Sequence, residues 1–158
     1  MLVLQLALYC LLFTLMVKLG AGGNALNALY FYPKACQEKA YELGLAARES
    51  VKRKRIRFLL PFFLVQLLAL LGIIGLWNGI RTFWPAYWQA LLFLEVMNWY
   101  DGLVIDRLWV GHSRFWQIPG IDLSYVQSWP QVLKKRGVLT LIWCLGAAIA
   151  AGLVMLIF

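Results

Sequence analysis

The amino-acid sequence predicts an all-α integral membrane protein, a four-transmembrane-helix bundle with a basic amphipathic segment at the cytoplasmic surface. Two observations support this. Hydrophobic residues make up 63% of the chain and charged residues 14%, against about 45–50% and about 25% in soluble domains. The basic residues flank long apolar stretches, several of which have the roughly 20 residues that a bilayer crossing needs. We therefore expect one membrane domain over residues 1–158.

The first predicted span covers residues 2–30 and opens with the apolar run LVLQLALYCLLFTLMV. It lacks the basic start and the cleavage site of a signal peptide, so we expect it to be retained. Residues 34–57 are predicted to form a cytoplasmic loop. Within it, residues at steps of three and four indicate one apolar helical stripe, although a solvated loop remains the alternative. The stripe consists of Cys36, Ala40, Leu43, Ala47 and Val51.

The second predicted span covers residues 58–77, and the third, residues 85–111, follows after a turn short enough for a tight antiparallel hairpin. A cytoplasmic segment over 112–128 comes next. Ser128 and Pro130 are typical of a helix start, and they place the fourth span at 129–157. Small residues in this last span predict a surface for a second copy or a partner subunit. They are Gly146, Ala150 and Gly152.

The distribution of Lys and Arg predicts the orientation. Eight lie in residues 34–57 and five in 107–136, whereas the turn between the second and third spans carries only Arg81. By the positive-inside rule, residues 34–57 and 112–136 are cytoplasmic and both termini lie outside a plasma or inner membrane. Residues 48–57 are expected to meet anionic lipid headgroups, and no nucleic-acid partner is expected.

The third span carries most of the polar residues that could serve a function. Glu95 and Asn98 fall near mid-bilayer, where an ionisable group is costly and is a functional-site candidate. At about 100° per residue, Glu95, Asn98, Gly102 and Asp106 line one seam, while Arg107 stands apart. The candidate substrate- or ion-binding residues are Glu95, Asn98, Trp99, Tyr100, Asp101, Asp106 and Arg107.

Three functions fit this seam. The first is binding or transport of a small solute or ion, with a cation favoured, coupled to protonation of Glu95. The second is an enzyme acting on a lipid headgroup, in which Asp101, Asp106 and His112 supply acid and base or hold a divalent cation. The third is an accessory subunit without chemistry of its own. We expect the first. No nucleotide-binding glycine loop, HExxH or paired CxxC occurs, so no other cofactor is expected.

Overall fold

The computed structural model describes residues 1–121 and 128–158, and every regular element in those ranges is helical. Helices α3 and α4 each continue into a π-helical segment, Gly72–Trp77 and Asp101–Val110 respectively. Short 3-10 helices cover Ala25–Phe31 and Arg114–Trp116. The all-α prediction is confirmed. The α-helices are α1 (Leu2–Ala21), α2 (Lys34–Glu42), α3 (Arg48–Leu71), α4 (Phe83–Tyr100) and α5 (Trp129–Ile157).

Three helices in the described ranges are long and apolar enough to cross a membrane. They are Leu2–Ala21, Arg48–Trp77 and Trp129–Ile157, with mean hydropathies of 2.1, 2.5 and 2.3. Helix α4 is not among them, since polar side chains such as Glu95 and Asn98 reduce its hydropathy. Three helices of the described ranges are thus compatible with a membrane protein.

The first span is shorter than predicted. Helix α1 ends at Ala21, where Gly22 adopts a left-handed conformation with φ of 53° and its N–H bonds the carbonyl oxygens of Lys18 and Leu19. Gly23 also has a positive φ, 81°. Only glycine takes up this backbone conformation without strain from a Cβ atom, so the glycine pair ends the helix. The prediction of one helix over 2–30 is therefore wrong.

Residues 34–57 do not form a loop with one amphipathic helix. Helix α2 ends at Glu42, Gly44 turns the chain with φ of 67°, and α3 begins at Arg48. The basic residues 52–57 therefore lie on the exposed first turns of the helix that becomes the second apolar span. Cys36, Ala40 and Val51 are buried, as the stripe predicted, whereas Leu43 and Ala47 are exposed.

Contacts fix the relative directions of the long helices. Helix α1 runs antiparallel to α3, with Phe13 against Phe62 at a ring-centroid distance of 5.4 Å. Helix α3 runs in the same direction as α5, because the Phe158 ring packs against Gly75 near the end of α3. Helix α4 is antiparallel to α5 and makes its most extensive contacts with it. The first turns of α3 and α5 therefore share one end of the bundle, called here the basic end (residues 48–57 and 128–136).

Helix α5 starts where the sequence predicted the start of the fourth span, with the Gln131 side-chain oxygen accepting the Ser128 N–H at 3.0 Å. The described part of the preceding segment, 112–121, contains buried residues. Trp116 is buried against Trp109, and its carbonyl oxygen accepts a hydrogen bond from the Tyr32 hydroxyl at 2.5 Å. Residues 122–127 of this segment lie outside the described ranges.

Candidate functional site

The site is built around Arg136, a cation of α5 that is only 1% exposed. Its Nη1 donates to Asp101 Oδ2 at 2.8 Å, and its Nη2 donates to Asp106 Oδ2 at 2.6 Å. The planar guanidinium fork suits two carboxylates at once. A buried charge is tolerated only when it is paired and hydrogen-bonded, and here Arg136 takes both its partners from the neighbouring helix.

The π-helical winding of residues 101–110 explains how both aspartates reach the same guanidinium. In an α-helix, residues five apart point about 140° away from each other. A π-helix bonds residue i to i+5, which places Asp101 and Asp106 on the same side. Asp101, which the sequence placed on the same side as the predicted seam, thus binds the same guanidinium as Asp106. Gly102 also matters: an added Cβ would lie 2.5 Å from Arg136 Nε.

Asn98 links this ion-pair cluster to Glu95. The buried Asn98 amide accepts from Arg136 Nη1 at 3.3 Å, and its Nδ2 lies 3.2 Å from the Arg136 carbonyl oxygen and 3.4 Å from Glu95 Oε2. The Thr140 hydroxyl donates to the same Glu95 oxygen at 2.8 Å. Glu95 Oε1 is buried and has no hydrogen-bond partner among the described residues. A continuous polar network thus runs between the two helices, called here the α4–α5 network (Glu95, Asn98, Asp101, Asp106, Lys135, Arg136 and Thr140).

Lys135 completes the network at its solvent side. Its ammonium group lies 2.8 Å from Asp106 Oδ2, the same oxygen that Arg136 binds, but the Lys135 side chain is 47% exposed. Asp106 therefore joins one buried and one exposed cation. Two of the network's carboxylates, Asp101 and Asp106, are thus paired with its two basic groups.

The structure leaves the other predicted site residues outside the network. The Tyr100 hydroxyl is hydrogen-bonded to Thr14 of α1 at 2.8 Å, and Trp99 is exposed. The Arg107 guanidinium carbon lies 4.0 Å from the centre of the Trp129 ring, a cation–π contact. Tyr100 and Arg107 thus contact side chains of α1 and α5.

His112 also lies apart from the two aspartates that it was predicted to join. It is exposed, and its Nδ1 is 2.8 Å from the Arg107 carbonyl oxygen. Within residues 1–121 and 128–158, no group of three His, Cys, Asp or Glu side chains is placed to hold a metal ion. The divalent-cation site suggested for Asp101, Asp106 and His112 is thus not assembled in the described chain.

A cavity of about 420 Å³ lies between α1, α3, α4 and α5, within the roughly 300–1,000 Å³ of small-molecule sites. Its walls are mainly apolar and aromatic, and Asp101, Asp106, Lys135 and Arg136 line it together with them. Four lining side chains carry buried polar atoms without a partner in the described structure. They are Gln66 (Nε2 and Oε1), Trp116 (Nε1), Arg136 (Nε) and Trp143 (Nε1).

The small residues of α5 mostly face the chain itself. Ala150 is buried and lines the cavity, and an added Cβ on Gly146 would contact Leu94 of α4 at 3.6 Å. An added Cβ on Gly152 would meet nothing within 4 Å. Of the three residues predicted to meet a partner, Gly152 alone has this open space, and a partner there stays a prediction.

Sequence reasoning missed Arg136 and Gln66. Arg136 was counted with the basic residues of 107–136, and nothing in the sequence separates it from its neighbours Lys134 and Lys135, which are exposed. Gln66 is the sole amide in the apolar stretch 58–77, a signal that such residues give when they serve a ligand or a helix contact. No protein-family model, curated protein or solved structure matches this chain.

Proposed function

We propose that this chain is a four-span membrane protein that binds a small molecule at the α4–α5 network, with binding linked to protonation of Glu95. In this proposal α4 and its π-helical continuation form the fourth span. The basic end faces the cytoplasm, as the positive-inside rule favours. The exposed basic residues 52–57 then lie at the level of anionic headgroups, which would hold this end at the membrane surface.

One observation supports the proposal above the others: the charged network also forms part of a cavity wall. A buried network of ion pairs adds little net stability to a contact between helices, because the cost of desolvating the charges offsets much of their attraction. Here four of its charged side chains line a space large enough for a ligand. Intramembrane ionisable groups facing a cavity are by default ligand or ion sites.

The sign of the proton linkage follows from the groups around the cavity. The charged side chains that line it are Asp101, Asp106, Lys135 and Arg136, and its lining residues on α1 and α3 are uncharged. The unpartnered polar atoms of the lining are mostly N–H donors. An anionic ligand therefore fits better than the cation expected from the sequence. An anion is favoured when Glu95 is neutral, so binding takes up a proton and affinity falls as pH rises.

The Glu95→Gln variant tests this linkage, because it keeps the shape of the side chain and removes the proton. The purified protein is titrated with octanoate from mildly acidic to mildly basic pH, and binding is followed by thermal stabilisation. We expect the wild-type affinity to fall as pH rises, by up to about tenfold per pH unit. The Glu95→Gln protein should bind octanoate at every pH with the affinity that the wild-type protein shows at acidic pH.

Two controls accompany this experiment. Glu42→Gln alters an exposed carboxylate paired with Lys39 and should leave the pH profile unchanged. Octylammonium, with the same chain and the opposite charge, should bind more weakly than octanoate. Identical pH profiles for the wild-type and Glu95→Gln proteins would contradict the linkage. Tighter binding of octylammonium would contradict its sign.

The enzyme alternative is not supported by a contact between His112 and either aspartate in the described residues. The His112 ring lies instead against the Arg107 carbonyl oxygen.

A further inference from the structure

We infer that the natural occupant of the cavity is a single-chain lipid with an anionic, oxygen-rich end group. This rests on the proposed function, because the end group would sit at the α4–α5 network. It goes beyond that proposal by naming the class of ligand and the path by which the ligand enters.

The shape of the cavity suits one hydrocarbon chain. Its lining residues on α5 extend from Lys135 to Ala150, a rise of about 22 Å along the helix. The cavity of about 420 Å³ is therefore long, as an extended hydrocarbon chain requires. A compact water-soluble solute would leave most of this length empty.

The walls of the long part are apolar. Aromatic rings of α1 and α3 lie along it, including Phe13, Phe58 and Phe62. A dry apolar cavity does not hold water well, since a buried water needs two to four polar partners. Phe63 and Ile149 line the cavity and are also exposed on the outer surface of the bundle. The gap between α3 and α5 therefore offers a lateral path for a chain arriving from the surrounding lipid.

Unpartnered hydrogen-bond donors indicate the chemistry of the end group. The indole N–H groups of Trp116 and Trp143 are buried, line the cavity and lack acceptors among the described residues. An unmade hydrogen bond of this kind is costly, and an oxygen-rich ligand would satisfy it. Gln66, 4% exposed, adds an unpartnered amide within the apolar part, where an oxygen substituent on the chain would be held.

Charge at the basic end favours an anion as well. Beside the paired Lys135 and Arg136, the start of α3 and the start of α5 carry exposed cations for which no ion pair occurs within the described ranges. They are Lys52, Arg53, Arg55, Arg57 and Lys134. Asp101 and Asp106 are already paired with Arg136. The net field at the cavity mouth is positive, and it would draw a carboxylate or phosphate. Both a fatty acid and a lysophospholipid carry such an end.

Native mass spectrometry of the purified protein tests the inference, because the mass of the adduct distinguishes a fatty acid from a lysophospholipid. We expect one single-chain anionic lipid per chain. Leu139→Trp places a large ring in the cavity from a lining position and should lower occupancy at least about tenfold. Leu141→Trp is the matched control: it is 70% exposed on the same helix and does not line the cavity, so occupancy should stay within about twofold. Ala150→Leu, also at a lining position, replaces Leu139→Trp if that variant does not fold.

Each outcome separates the inference from the proposed function. Equal adducts in the wild-type, Leu139→Trp and Leu141→Trp proteins would show lipid bound only at the surface and would overturn the inference. A chain that carries no lipid, yet binds octanoate with the pH dependence set by Glu95, would also overturn it while keeping the proposed function. If Leu139→Trp lowers lipid occupancy but Glu95→Gln leaves the pH dependence of octanoate binding unchanged, the proton linkage is rejected and the lipid inference stands.

Discussion

The ion pairs of Asp106 provide a direct energetic test, because one carboxylate oxygen binds two neighbouring cations that differ in burial. Arg136 is 1% exposed and Lys135 is 47% exposed, at similar distances of 2.6 and 2.8 Å from Asp106 Oδ2. Each is replaced by Met, which keeps an unbranched side chain and removes the charge. The two cations share the acceptor and the helix; they differ in burial and in the second ion pair that Arg136 makes with Asp101.

Burial decides the expected magnitudes. Arg136→Met leaves Asp101 without its cation and Asp106 with Lys135 alone, and removing one partner of a buried ion pair costs about 3–5 kcal/mol. Lys135→Met breaks an exposed pair, which is worth about 0–1 kcal/mol. Adding Asp101→Asn to the Arg136→Met background should recover part of the loss, because it removes a carboxylate that has become unpaired.

Reversible unfolding in mixed detergent micelles, followed by tryptophan fluorescence, measures these free energies of unfolding. Arg136→Met should be less stable than Lys135→Met by at least about 2 kcal/mol. A loss from Lys135→Met that equals or exceeds the loss from Arg136→Met would refute the reasoning. So would an Arg136→Met protein as stable as the wild type.

Two further predictions concern the backbone and the topology. Gly102→Ala should destabilise the fold by roughly 1–3 kcal/mol, because the added Cβ would lie 2.5 Å from Arg136 Nε. Gly137→Ala, whose added Cβ would meet nothing within 4 Å, should stabilise the fold by up to about 1 kcal/mol. Thermal unfolding should therefore show shifts of opposite sign for the two variants, and equal shifts would contradict the packing of Gly102. In a protein with its native cysteines replaced, Arg81→Cys should be labelled by a membrane-impermeant maleimide from outside and Arg55→Cys from the cytoplasmic side, and the reverse pattern would overturn the orientation.

The sequence predicted those parts of the fold that depend on hydropathy and on capping. The start of α5 at Trp129 follows from Ser128 and Pro130, and the short turn before α4 follows from Asn78 and Gly79. The end of α1 was missed although its signal is visible. Apolar residues continue beyond Gly22, but the helix ends there because Gly22 adopts a left-handed backbone conformation.

The site was only partly predictable, for two physical reasons. Periodicity along a sequence is read with α-helical winding. The residue types at 101–110 do not predict the π-helical winding that brings Asp101 and Asp106 together. The inward face of Arg136 depends on packing against Gly102, a tertiary contact between distant residues. Glu95 and Asn98 were found because a polar residue in an apolar span is conspicuous by itself.

The central claim is that a ligand occupies the cavity beside the α4–α5 network, and an experimental structure of the protein in lipid nanodiscs tests it most directly. The account predicts one elongated non-protein density between α3 and α5, with its polar end at Lys135 and Arg136 and its apolar part along Phe58 and Phe62. A cavity closed by its own side chains, with Arg136 still paired to Asp101 and Asp106, would contradict the account and leave the network a purely structural contact.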